Sequence, residues 1–348
     1  MQIPSTKVKQ PKQGGFTLME LVVSIVVICL LIALTMPAVL QSKHSSKKLY
    51  CLNRMRNLGL AIVNYSSGSN AYLPLLVDPN LVENQGSTTV NDDMSWCVAL
   101  LPFLDAYQFR QRWDLMAYVA SGEPSAAQSA AKKDLDLLQT TRFPVFVCPD
   151  DPYNVEPGAL SYCVNIGYVT SHYNTAADTF HRVDSADGGF DSDTSVDTDV
   201  PVKFASGVFW RPHSSRMSLD YIAAADGLTQ TLMMSENMQA GEWHSTSTGE
   251  LGFGIDMEGV LTSASLKLPA DFDLKTARSD SSINLNRYAA KGQAWRPSSN
   301  HPSGSVNVIM CDGSARSLVP KMDARIYARL LTPAGLRFGQ AAVKDLSY

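Results

Sequence analysis

From Leu21 to Leu40 the chain is apolar without a break, LVVSIVVICLLIALTMPAVL, and no charged residue occurs between Glu20 and Lys43. At about 1.5 Å of rise per residue a helix of this length crosses the roughly 30 Å hydrocarbon core of a bilayer. The pattern therefore predicts a transmembrane helix over 21–40. The run is too long for a secretory signal, and no small-residue cleavage site follows it. Beyond Lys43 the apolar positions thin out: Cys51, Met55, Leu58, Ile62 and Tyr65 recur at spacings of 4, 3, 4 and 3, which is one stripe along a helix. Arg54, Asn57 and Asn64 lie off that stripe. The expectation is one helix over 16–65, ended by Ser66-Ser67-Gly68-Ser69-Asn70, that docks its stripe on the following domain and turns its other side to solvent or a neighbouring subunit.

From Tyr72 to Tyr348 the pattern changes to short apolar stretches broken by Gly, Pro, Asp and Asn. This favours a mostly antiparallel sheet. Strands are expected at Phe143–Cys148, Val208–Trp210, Thr229–Ser235 and Val306–Met310, and helix at Trp96–Tyr107 and Met322–Leu331. Asp312-Gly313, between Val306–Met310 and Ser314–Val319, predicts a tight hairpin with a type I′ turn.

Charge divides the chain at the same place. Residues 1–65 hold eight Lys or Arg against one acid, Glu20, whereas the other 283 residues hold 21 basic and 32 acidic side chains. A basic, apolar beginning suits a membrane surface, and an acidic body makes nucleic acid an unexpected partner. Charged residues are only 18% of the chain, against about 25% for soluble proteins, which agrees with part of it lying out of water.

Lysines on both sides of the apolar run leave orientation undecided by charge alone. The junction Lys12-Gln13-Gly14-Gly15-Phe16-Thr17-Leu18-Met19-Glu20 adds a basic leader ending in glycine, an aromatic, and one carboxylate at the membrane edge. It resembles the prepilin signal of type IV pilins and type II secretion pseudopilins. The resemblance implies that a prepilin peptidase cuts on the cytoplasmic side after Gly15 and methylates the new terminus at Phe16. Glu20 would then be the fifth residue of the mature chain and would neutralise the terminal amine of a neighbouring pilin-like subunit, because a carboxylate at that depth is costly if unpaired. Pro37 falls where many pilins kink their helix, its missing N–H being the physical cause.

Further motifs resemble the bacterial domain-of-unknown-function family 1559, abundant in planctomycete-type bacteria, over nearly the whole chain. They run in order: Cys51-Leu52-Asn53 to Asn64-Tyr65; Ser95-Trp96 with Leu101-Pro102-Phe103-Leu104; Phe146-Val147-Cys148-Pro149; Ser161-Tyr162 with Asn165 and Gly167; Gly207-Val208-Phe209; Ala225-Asp226-Gly227 to Glu236; and Asn300-His301-Pro302 to Asp312-Gly313-Ser314. Ser303 and Cys311 depart from the pattern, where glycine and an alanine-like residue are expected. The family resemblance implies a prepilin-type N-terminus and no known activity.

The remaining chemistry is sparse. Of six cysteines, Cys29 lies within the span and five remain for an oxidising exterior. Cys51 on the stripe and Cys148 after an expected strand are candidates for a bridge between helix and body; Cys97, Cys163 and Cys311 offer one more pair whose partners the sequence does not choose. No cysteines have the short spacing of a zinc site. Asp184, Asp187, Asp191 and Asp193 lie in a stretch free of basic residues that suits calcium, but its spacing is not that of an EF-hand and a solvated loop is the plainer reading. His301 and Glu236 form a conceivable acid–base set, although the plainer reading has His301 capping or packing and Glu236 ending a strand. The chain lacks the G-x-S-x-G, H-E-x-x-H, P-loop and G-x-G-x-x-G patterns. Trp96, Trp113, Trp210, Trp243 and Trp295 are expected as core or interface anchors.

The sequence thus predicts an α+β, pilin-like protein without catalytic function. Its parts are a leader over 1–15, a long helix over 16–65 and an exported body over 66–348. The expected location is the inner (cytoplasmic) membrane, crossed once, with the body in the periplasm or outside. The expected partners are prepilin peptidase, other pilin-like subunits and the lipid bilayer; no cofactor is expected unless calcium. The competing reading is a membrane-tethered solute-binding module.

Overall fold

The computed structural model describes residues 15–80, 92–120, 122, 124–153, 155–169, 196–211, 216–257, 260–261, 265–274, 282–285, 287–292 and 295–341. Two compact units make up the chain, Met1–Ser46 and Lys47–Tyr348. Helix α1 (Leu18–Gly68) contributes its beginning to the first and its end to the second. Its start is a reciprocal cap: Thr17 N and Oγ1 donate to Glu20 Oε2 at 2.9 and 3.0 Å, and Glu20 N donates to Thr17 Oγ1 at 3.3 Å. Over the described part of the apolar run the large side chains are exposed on every side, from Val22 at 47% to Leu34 at 70%. A helix apolar all round and exposed in this way is consistent with solvation by lipid. It is long and apolar enough to cross a membrane.

In the second unit Cys51, Met55, Leu58 and Ile62 are buried, and Tyr65 packs edge-on against Phe103 at 5.8 Å. The stripe lies on a five-stranded sheet of order β5 (Gly252–Asp256), β3 (Tyr162–Val169), β4 (Leu232–Glu236), β6 (Val306–Met310), β7 (Ala315–Leu318). All neighbours are antiparallel except β3 and β5, so the sheet is mixed. Gly59 permits the close approach: a Cβ there would stand 3.1 Å from Ile309 on β6 and 3.4 Å from Met233 on β4.

A register shift between Asn165 and Gly167 lets β3 bond α8 (Ala324–Leu331) twice. Asn165 Nδ2 donates to Leu331 O at 2.7 Å, and Tyr168 Oη to Ala328 O at 3.1 Å. With strict alternation those two positions would point to opposite faces; the extra residue restores them to one. Gly167 itself has φ +72°, and a Cβ on it would meet Ser206 O at 2.2 Å.

Several expected elements are corrected. Phe143–Cys148 is not a strand: Pro144 opens a single 3₁₀ turn, Pro144–Phe146, since it has no N–H for a ladder. That turn delivers Phe143 and Phe146 to an aromatic cluster with Phe109, Trp113 and Trp243. Val208–Trp210 is buried but irregular, with Val208 N and Phe209 N both donating to Asn165 O. Strand β4 starts at Leu232, because Leu228–Gln230 is a 3₁₀ turn. The hairpin between β6 and β7 is not type I′, which needs positive φ at two residues. Only Gly313 has it, at +80°, and Gly313 N donates to Met310 O at 2.9 Å. The loop is a type I turn followed by a left-handed glycine.

Helices α3 (Tyr107–Ala120) and α4 (Ala126–Gln139) had no forecast. They pack on one another, and the residues they bury are chiefly small, Ala117, Ala120 and Ala131 beside Trp113 and Leu138. So narrow an apolar face gives a weak periodic signal. Strands β3 and β5 and the separate ribbon β1 (Val77–Asn80) with β2 (Asp92–Ser95) were also not anticipated.

Candidate functional site

The N-terminal group occupies the first unit. Gly14 lies outside the described residues, as do Asp184, Asp187, Asp191 and Asp193; Gly15 and Phe16 are exposed, Phe16 at 85%. Glu20 is on the first turn of α1 with its carboxylate held by Thr17, so the single acid of the apolar region is satisfied within its own helix. Pro37 falls within α1, and its side chain is outside the described residues.

In the second unit a disulfide joins Cys51 of α1 to Cys148, with Cα atoms 4.9 Å apart. Cys97, Cys163 and Cys311 are buried free thiols. Next to the bridge lies a buried polar array. His301 Nδ1 is 3.1 Å from Asp150 Oδ2 and Nε2 is 2.9 Å from Glu236 Oε1. Lys47 Nζ donates to Asp150 Oδ1 at 3.0 Å, and Asn307 donates to both oxygens of Glu236, from N at 2.8 Å and from Nδ2 at 3.0 Å. Each element supplies one part: α1 gives Lys47, the loop after the disulfide gives Asp150, β4 ends on Glu236, β6 carries Asn307 and the preceding loop His301.

Burial drives the His301 imidazolium toward neutrality, but hydrogen bonds and charge from Glu236 and Asp150 outweigh it and hold the ring above its ordinary value. Burial likewise acts to raise Asp150, yet Lys47 and His301 prevail and lower it. Both ring nitrogens are thus engaged by carboxylates, an arrangement that clamps helix, loop and two strands together. Asp312 and Gly313 take no part. They form the far turn of β6, about 16 Å along the strand, where Asp312 Oδ1 accepts from Ser314 N.

Sequence reading named His301 and Glu236 but missed Lys47, Asp150 and Asn307. A signal was present: Lys47 precedes Cys51 by one helical turn and Asp150 follows Cys148 by two residues, so pairing the cysteines brings that lysine and aspartate together.

Asp226, in the expected Ala225-Asp226-Gly227 motif, has a separate task. It accepts from Arg329 Nη1 at 2.6 Å and from Gly335 N and Leu336 N, fixing the turn after α8. Elsewhere a recess of about 420 Å³ is bordered by Asp93, Trp113, Glu242, His244, Thr246 and Glu250. His244 Nε2 lies 2.9 Å from Glu242 Oε2, and burial lowers its proton affinity despite the carboxylates beside it.

Comparison with family models matches residues 46–325 to the family described as "Protein of unknown function (DUF1559)". The chain belongs to the DUF1559 family. Residues 10–36 of this DUF1559 protein match the prokaryotic N-terminal methylation motif, spanning Gly15, Phe16 and Glu20. It is therefore a prepilin-like, pilin-processed protein, and the motif implies a prepilin peptidase and pilin-like assembly. Motif and apolar helix together are consistent with membrane anchoring. No curated protein and no solved structure matches the DUF1559 chain.

Proposed function

We propose that this protein is a non-catalytic, pilin- or pseudopilin-like envelope subunit, stored in the inner membrane by its apolar helix and assembled through Glu20 after cleavage at Gly15. The observation that carries this is the methylation motif placed directly on a capped helix whose described apolar side chains up to Val39 are exposed. In the unassembled chain Thr17 satisfies the Glu20 carboxylate. On assembly the methylated amine of Phe16 from a neighbouring subunit replaces it, exchanging a neutral donor for a charged one in a medium where an unpaired carboxylate is costly. The acidic body is displayed in the periplasm or beyond.

Intact-mass spectrometry of the membrane-extracted protein tests the processing step. A chain beginning at methylated Phe16 is expected, and Gly15→Asp leaves the leader attached; normal maturation of that variant would refute the proposal. Glu20→Ala is expected to be processed but absent from fibres.

The recess bordered by Trp113, Glu242 and Glu250 favours a second reading, a tethered solute-binding module. Full function of Glu20→Ala in cells, without assembly, would bring that reading to the front.

A further inference from the structure

The sulfurs of Cys51 and Cys148, a carboxylate oxygen of Glu236 and a ring nitrogen of His301 all lie within 4.8 Å of one another, and all four residues are buried. They come from positions far apart in the chain, 97 residues between the cysteines and 65 between Glu236 and His301, so no short-spaced motif announces them. We propose that when the Cys51–Cys148 disulfide is reduced, these four residues bind one divalent ion of the zinc class.

Two sulfurs, one nitrogen and one oxygen make a four-coordinate set of the kind zinc takes. The supporting shell is already in place. Asp150 Oδ2 accepts from Nδ1 of His301, which leaves Nε2, on the Glu236 side, as the ligand atom; histidine ligands are commonly held by a carboxylate in this way. Asn307 fixes Glu236 from its backbone and side chain. A recess of about 10 Å³, room for about one water, is lined by two of the four residues, Cys148 and Glu236. Lys47 on Asp150 and Arg54, bonded to Val147 O beside Cys148, supply positive charge around an ion held by three anions.

The chemistry balances with a dithiol as reductant. Its two S–H groups become one S–S bond while the Cys51–Cys148 bond breaks, so two electrons and two protons pass to the cysteines. The ion then displaces both thiol protons and the proton on Nε2 to solvent, and takes the place of the His301–Glu236 hydrogen bond. Oxidation by a disulfide reverses the sequence and releases the ion. The same two sulfurs therefore serve either as a covalent staple or as half of a metal site. None of the four residues lies in the apolar run, so the proposal is independent of the pilin reading.

The test is titration of the full-length, detergent-solubilised protein with Co²⁺ as a zinc probe, before and after reduction by dithiothreitol and its anaerobic removal, with circular dichroism to follow the fold. The reduced chain is expected to bind one Co²⁺ with a thiolate-to-cobalt absorption band that Zn²⁺ displaces, and the oxidised chain none. Cys51→Ser/Cys148→Ser is expected to abolish the band, and Asp150→Asn to weaken binding by about ten- to a hundredfold. The proposal is overturned if reduced and oxidised wild type bind alike, if the band survives the double substitution and so belongs to Cys29, Cys97, Cys163 or Cys311, or if the reduced chain unfolds and the ion does not restore it.

Discussion

Removal of the Cys51–Cys148 bridge has a magnitude that follows from its place in the chain. The bridge closes a loop of 97 residues. In the chain-entropy account, opening a loop of that length in the unfolded state costs about 4.7 kcal/mol, and natural disulfides commonly deliver about 2–5 kcal/mol. Cys51→Ala/Cys148→Ala is therefore expected to lose about 2–5 kcal/mol. Both sulfurs are buried, so alanine also gives up some packing, but the Lys47–Asp150 pair continues to tie α1 to the same loop. For a unit of this size the midpoint of thermal unfolding should fall by roughly 7 °C at the upper end of that range. The assay is equilibrium denaturation of the full-length protein in detergent with a chelator present, comparing oxidised wild type, reduced wild type and the variant. Reduced wild type and variant should agree within about 1 kcal/mol, because both lack the crosslink and differ only in the packing of two sulfurs. A variant as stable as the oxidised protein would refute the argument, since the longest covalent constraint would then carry no free energy.

Three further outcomes follow from named contacts. The raised proton affinity of His301 sets a pH dependence: its contribution is complete below its unfolded value, about 6.5, and is lost as pH rises through the higher folded value, so stability by denaturant midpoint should fall as pH rises above about 6.5. His301→Gln should flatten that fall, and an unchanged slope would show that Glu236 and Asp150 do not hold the ring charged. Asp226→Ala leaves the Arg329 guanidinium and Gly335 N without their shared partner in a buried place, and a loss of about 3–5 kcal/mol is expected by the same denaturation assay. Gly167→Ala combines positive φ with a Cβ driven into Ser206 O; a loss of more than about 2 kcal/mol or an insoluble product is expected, and a stable variant would mean that β3 and the loop at Ser206 can separate.

The fold was legible where the signal is local. The apolar run and the stripe from Cys51 to Tyr65 gave α1 to within a few residues, because side chains three and four apart share a helix face whatever surrounds them. Strands β6 and β4 were legible in the same way, as compact β-favouring stretches. Where local and tertiary requirements part, the forecast failed. The apolar stretch Phe143–Cys148 is buried for its aromatic rings and not for a ladder, and Pro144 withdraws a backbone donor. Helices α3 and α4 bury alanines, which give little hydrophobic contrast. The turn at Asp312-Gly313 was read from a dipeptide, although hairpin geometry depends on the register of the strands it joins.

The sequence by itself determined the apolar run, the methylation motif that overlaps its start and the family, since each is written in contiguous residues or in an ordered set of motifs. Only the tertiary structure decided that Lys47, Asp150, Glu236, His301 and Asn307 meet. Their meeting requires the Ser235–Val308 pairing of β4 with β6, which puts Glu236 beside Asn307, and a crosslink across 97 residues, which puts Asp150 beside α1. A short-range pattern cannot encode this, because burying a charged group is favourable only when its partners arrive from elsewhere in the chain.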